Sequence, residues 1–206
     1  LFLRGEVAAD PVAAGTSPEG QEFSVRAVRA WTAVIASSGT ASTDEIAAAA
    51  AERAGASLYA VVQPPDLRWH IPSKLVSPDH SPALAAFLEH VDAVVAVHGF
   101  GRSGMFTSLL LGGRDRARAE WLASFLAPAL PEYDVVAELG RIPISLRGQH
   151  PHNPVNLVAG GGVQLELPPR VRGIGPFWDG WPSEGRRPHT EALIDALAAA
   201  AASAAP

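Results

Sequence analysis

Ala93-Val94-Val95-Ala96-Val97 constrains the fold of this chain more than any other stretch. A strand with one face in water alternates apolar and polar residues. An unbroken apolar run such as this one has no wet face, so it reads as a strand buried on both sides. It runs directly into His98-Gly99, which predicts an imidazole at the carboxyl end of a central strand. A second apolar strand, Ser57 to Gln63, is stopped by Pro64-Pro65.

Helical patterns separate the strands. Thr43 is a good N-cap for an alanine-rich helix to Ala54, with Gly55 after it. Ser81 caps a helix that has Pro82 at its first position and runs to His90. A third helix is expected from Asp115 to Leu126, with Ala119, Leu122, Ala123 and Leu126 on its apolar face. A fourth, nearly all alanine, is expected from Glu191 to Ser203. Phe23 to Ile35 predicts one or two strands, Thr107 to Leu111 another, and Tyr133 to Val136 a short one. Ala36 to Ser42 reads as a loop of small residues. Strands alternating with helices predict an α/β fold: a mixed, mostly parallel sheet in one domain, with helices on both faces. Residues 1–22 show no period and are expected to form a loosely ordered arm, leaving residues 23–206 as the single domain.

The 206 residues can enclose a sizeable core, and 48% of them are hydrophobic. A net charge of −5 argues against nucleic acid or an anionic membrane as the main partner. No apolar run reaches bilayer-spanning length. The opening Leu1-Phe2-Leu3-Arg4 lacks the form of a secretion signal, so a cytoplasmic location is expected. The chain has no cysteine, which excludes disulfides and thiolate chemistry. Any metal must be held by His, Asp or Glu.

In open α/β sheets, ligands sit beyond the carboxyl ends of the strands. That rule directs attention to three loops, 36–43, 98–104 and 147–162. His98 stands in that position. Glu166 follows a glycine run, Gly160-Gly161-Gly162, and sits between Leu165 and Leu167. A carboxylate so placed either meets a cation or holds its proton near neutral pH, as a general acid or base requires; the residues alone leave exposure on an edge strand equally open. Arg147-Gly148-Gln149-His150-Pro151-His152-Asn153-Pro154-Val155-Asn156 offers a guanidinium and amides that could grip a carboxylate, or merely supplies turn chemistry. His70 is held between Trp69 and Pro72.

Several of these segments together resemble the poly-γ-glutamate hydrolase family. They are Leu67-Arg68-Trp69-His70-Ile71-Pro72-Ser73, Val94-Val95-Ala96-Val97-His98-Gly99, Leu111-Gly112-Gly113-Arg114-Asp115, the Arg147 to Asn156 loop, and Gly161-Gly162-Val163-Gln164-Leu165-Glu166-Leu167. The resemblance spans roughly Ile35 to Gly173. It implies a zinc-carboxypeptidase-like fold that cuts γ-glutamyl amide bonds. Family members hold one zinc through a His and a Glu of an early loop and a later His, and a glutamate on a late strand activates water. By resemblance, His98 is the later metal ligand and Glu166 the general base. Arg147, Asn153, Asn156 and His70 are then substrate-binding.

The early loop departs from that pattern. Ala36 (or Ser37 or Ser38, depending on the gap) stands where the metal His belongs, and Thr40 where the Glu belongs. A catalytic zinc site takes three protein ligands. The expectation is therefore a member that has lost its zinc and binds a small acidic or peptide-like ligand, an active paralogue or a second copy of itself. The alternative is an active metal-dependent peptidase with a rearranged ligand set that recruits Asp44, Glu45 or His70.

Overall fold

The structure, a computed structural model, describes residues 43–61, 72–182 and 184–203 with their side chains, and the backbone of four strands that precede them. The strands are β1 (Leu3–Arg4), β2 (Pro11–Thr16), β3 (Glu22–Arg26), β4 (Thr32–Ser37), β5 (Ser57–Val61), β6 (Ala93–Gly99), β7 (Ser108–Gly113), β8 (Asp134–Val136) and β9 (Val163–Leu167). The helices are α1 (Thr43–Ala54), α2 (Pro82–His90), α3 (Arg116–Ala129) and α4 (Pro188–Ala202).

The sheet runs in the order β1-β3-β5-β4-β6-β9-β7-β8, with β2 attached to β3. Its centre is parallel: β4 pairs with β5 and β6, and β6 with β9. β7 then lies antiparallel to β9, and β8 runs parallel to β7. The mixed, mostly parallel sheet is as the residue pattern predicts.

Burial explains why the central strands read as continuous apolar runs. Every residue of β5 and β9 is buried, as are the first five of β6. α1, α3 and α4 cover one face. There Val95, Val97, Leu165 and Leu167 meet Ile46, Leu122, Leu126, Leu193 and Ile194 in the larger core. α2 covers part of the other face. Leu84 and Phe87 pack there on Tyr59, Val61, Val94 and Ala96, with Val155 joining from the long loop before β9. Thr43, expected as the cap of α1, is its first residue, whereas Ser81 caps α2 as expected and Asp115 caps α3. Ser81 Oγ accepts the Leu84 N–H at 3.2 Å and Asp115 Oδ1 accepts the Arg118 N–H at 2.9 Å.

Three features differ from the sequence expectation. The segment expected as a loose arm contributes β1 and β2, both paired with β3; Ala, Gly and Pro hide a strand because they carry little β propensity of their own. β4 extends two residues into the expected small-residue loop, since its partners on both sides continue to pair with it. α4 starts at Pro188, three residues early, because proline suits the first turn of a helix, where no N–H is needed.

The chain changes direction at the centre of the sheet. From β4 the path leads to β5 on one side; from β6 it leads to β7 on the other. The adjacent carboxyl ends of β4 and β6 therefore flank a topological switch point, the usual ligand position in such sheets. Among the described residues, no helix is long and apolar enough to cross a membrane.

Candidate functional site

β6 and β9 run parallel in a register that pairs His98 with Glu166 and Ala96 with Gln164. Residues alternate faces along each strand. Val163, Leu165 and Leu167 belong to the larger core, so Gln164 and Glu166 point to the opposite face. His98 is on that face too. It lines a pocket together with Val61, Ser73, Val76, Ala96 and Asn153. The structure thus brings His98, Glu166 and Asn153 together at the carboxyl half of the central strands.

Glu166 is 5% exposed. Burial pushes its carboxyl up from an ordinary 4.5 to about 7, against the opposing pull of a Gln164 hydrogen bond and the nearby Arg172 guanidinium. The hydrogen bond runs from Gln164 Nε2 to Glu166 Oε1 at 2.8 Å. Arg172 is itself buried. It donates to the carbonyls of Leu167 and Phe100, tying the exit of β9 to the exit of β6. Burial lowers its pKa as well, so desolvation outweighs mutual attraction at both ends of this pair. A carboxyl that changes protonation near pH 7 can take or give a proton at the pH of most cells.

The loop from 147 to 162 reaches the site differently from the edge loops. It must enter β9 at that strand's amino end, so it comes from the far edge and lies across the sheet face. Gly112 and Gly148 permit the contact. A Cβ at Gly112 would strike the Arg147 carbonyl, and one at Gly148 (φ +62°) would lie 2.6 Å from Gln164 Oε1. The loop's amides hold it down. Asn156 accepts the Arg114 N–H at 3.1 Å and donates to the carbonyls of Gly148 and His150 at 2.7 and 3.0 Å. Gln149 donates to the Gly113 carbonyl at 2.7 Å. Asn153 caps the turn at Pro154–Asn156 and donates to Gln164 Oε1 at 2.6 Å. Arg147 sends its Nε to the Ile142 carbonyl at 2.8 Å. In this arrangement Asn156 braces the loop, Arg147 bonds back to the main chain, and Asn153 is the loop amide that borders the pocket.

Of the remaining candidates, His70 and Thr40 lie outside the described residues. Ala36 is the register partner of Ala60 and Val97, which both face the larger core; Ser37 is the partner of Val61, which faces the smaller one. Position 37, not 36, is thus aligned with the row on the pocket side. Asp44 and Glu45 fall in the first turn of α1, where their charge suits the helix N-terminus. Among the described residues no three His, Asp or Glu side chains converge to hold a metal, so these residues alone do not meet the donor set of a zinc site.

Two participants were not singled out from sequence. Gln164 could have been, since residues two apart on a strand share a face and Glu166 was already marked. Arg172 could not, because nothing in Pro168-Pro169-Arg170-Val171-Arg172 tells which arginine turns inward.

Comparison with known proteins agrees with this architecture. No curated protein matches the sequence at a significant level. A bacteriophage poly-gamma-glutamate hydrolase has a similar fold, with a TM-score of 0.64 and 21% identity over 85% of this chain and 86% of the other. The zinc-free form of a protein named YNDL matches with a TM-score of 0.64 and 19% identity, over 92% of this chain and 89% of that one. A metallo-carboxypeptidase from Burkholderia cenocepacia matches more distantly, with a TM-score of 0.52 and 11% identity over 90% of this chain and 62% of its own length. These likenesses establish a shared fold. The sequence itself matches the family profile described as poly-gamma-glutamate hydrolase over residues 19–196, and the chain belongs to that family.

Proposed function

We propose that this protein is a poly-γ-glutamate hydrolase relative that has lost its zinc and binds a γ-glutamyl or similar acidic, peptide-like ligand without cutting it. One observation carries the reading. β4 and β6 are parallel neighbours, and Ala36 of β4 pairs with Val97, the residue before His98. From residue 27 to residue 43 the chain contains no His, Asp or Glu. A zinc ligand set completed from this segment has no side chain to draw on. What supports a binding role is that His98 and Asn153 line one pocket, with the buried Glu166 as the register partner of His98. The pocket's imidazole and the Asn153 amide suit the amide and carboxylate groups of such a ligand.

A second reading keeps catalysis. The buried Glu166, held near pH 7, is what a general base for amide hydrolysis needs. Metal analysis separates the two. Purified protein is expected to carry far less than one equivalent of zinc, to bind a γ-linked glutamate pentamer with or without EDTA, and to leave it uncut. Near-stoichiometric zinc that is lost in His98→Ala, together with hydrolysis abolished by chelator, would overturn the proposal in favour of a rearranged metal site.

A further inference from the structure

The carboxylate of Glu166 ends a chain of buried amides whose direction can be read from one end. Asn153 is fixed first. Its Oδ1 accepts the Val155 N–H at 3.4 Å as the cap of the turn. Its Nδ2 gives to two oxygens, Gly148 O at 3.3 Å and Gln164 Oε1 at 2.6 Å. A carbonyl can only accept, so the second contact fixes the Gln164 amide with its oxygen toward Asn153. The Gln164 NH₂ must then face Glu166, where it donates to Oε1 at 2.8 Å. Glu166 Oε1 is thereby an acceptor of this bond.

The surroundings of Gln164 hold this arrangement. Its register neighbours are Ala96 on β6 and Gly112 on β7, two small residues that leave its side chain free to lie along the strand. Gly148 closes over it, where any Cβ would collide. Asn153, Gln164 and Glu166 are 4%, 5% and 5% exposed, so water does not compete for these bonds.

We propose that Gln164 is a positioning residue: its carboxamide, oriented by Asn153, engages Oε1 of Glu166 and leaves Oε2 as the oxygen that meets a ligand. The binding part of this inference rests on the ligand-site reading above. The orientation of the amide does not.

The test has two arms on the full chain. In the first, the side-chain amide protons of Gln164 are followed by NMR in ¹⁵N-labelled protein, identified by their loss in Gln164→Met. One proton is expected to be shifted downfield and slow to exchange, and Glu166→Met is expected to remove that signature. An unchanged Gln164 resonance in Glu166→Met overturns the proposal whatever the protein binds. In the second arm, calorimetry measures a γ-linked glutamate pentamer against the two single variants and their double. Each single is expected to weaken binding roughly 10-fold, with the double no weaker than either, because both remove the same contact. Losses that multiply, or Gln164→Met binding like the wild type while Glu166→Met does not, refute the positioning role. Wild-type affinity in Glu166→Met counts against the ligand reading alone, and the amide resonance then decides the role of Gln164.

Discussion

Replacing Glu166 with Gln should make the protein more stable at neutral pH, although it removes a buried charged group. The reason lies in where the proton resides. Burial raises the Glu166 carboxyl from 4.5 to about 7, whereas the unfolded chain returns it to an ordinary value. The folded state thus binds the proton more tightly than the unfolded state. This contribution to stability is complete below about pH 4.5, declines as pH rises, and is gone above about pH 7. At about 1.4 kcal/mol per tenfold change, the span amounts to about 3 kcal/mol. Glutamine has the shape of the protonated acid, keeps a carbonyl to accept from Gln164, and does not titrate. The two proteins should therefore match near pH 4.5, and Glu166→Gln should be ahead by about 3 kcal/mol near pH 8. Urea unfolding followed by tryptophan fluorescence at a series of pH values gives the difference directly. Subtracting the two curves cancels groups shared by both, such as His189 and Glu191, whose lowered pKa values act with the opposite sign. A flat difference across this range, or one favouring the wild type at pH 8, would show that Glu166 is not held protonated by its surroundings.

Other perturbations test the frame around the site. Gly148→Ala combines a positive φ with a collision against Gln164 and should cost about 3 kcal/mol of stability, read by denaturant titration. Asn156→Ala strands the Arg114 N–H and two loop carbonyls; a loss of about 2 kcal/mol is expected, with faster amide exchange at Arg114. Ser81→Ala removes the cap of α2, which takes no part in the hydrogen bonds from Asn153 through Gln164 to Glu166. It should cost about 1 kcal/mol and leave the pH dependence of stability unchanged.

The central strands and the helix starts were readable because each has a local cause. An unbroken apolar run has to be covered on both sides, and Ser81-Pro82 or Asp115 marks a helix start wherever it lies. The same holds for Glu166, where a carboxylate between leucines announces a burial problem. Loop placement was not readable in this way. Whether the 147–162 segment overhangs the carboxyl edge or lies on the face depends on the direction in which β9 is entered, and that follows from sheet order rather than from any residue in the loop. Asn153 and Asn156 illustrate the limit. The two look alike in sequence, yet one borders the pocket and the other braces the loop, a difference set by partners at Gln164 and Arg114. β1 and β2 escaped notice because their pairing with β3, not their composition, makes them strands.

The place of β9 in the sheet has a consequence for how the protein folds. β9 is the last strand in sequence but sits between β6 and β7, which come some fifty to seventy residues earlier. Until it arrives, both of those strands present open edges, and the two parts of the sheet have no common hydrogen bonds. Insertion of this one strand closes both edges and makes pairings of long sequence separation, a combination associated with slow folding and exposure to aggregation. It also brings Glu166 beside His98, so the assembly of the site and the completion of the sheet are one event. Mutations that slow the entry of β9 would then deplete the soluble protein before they weakened any contact of the finished fold.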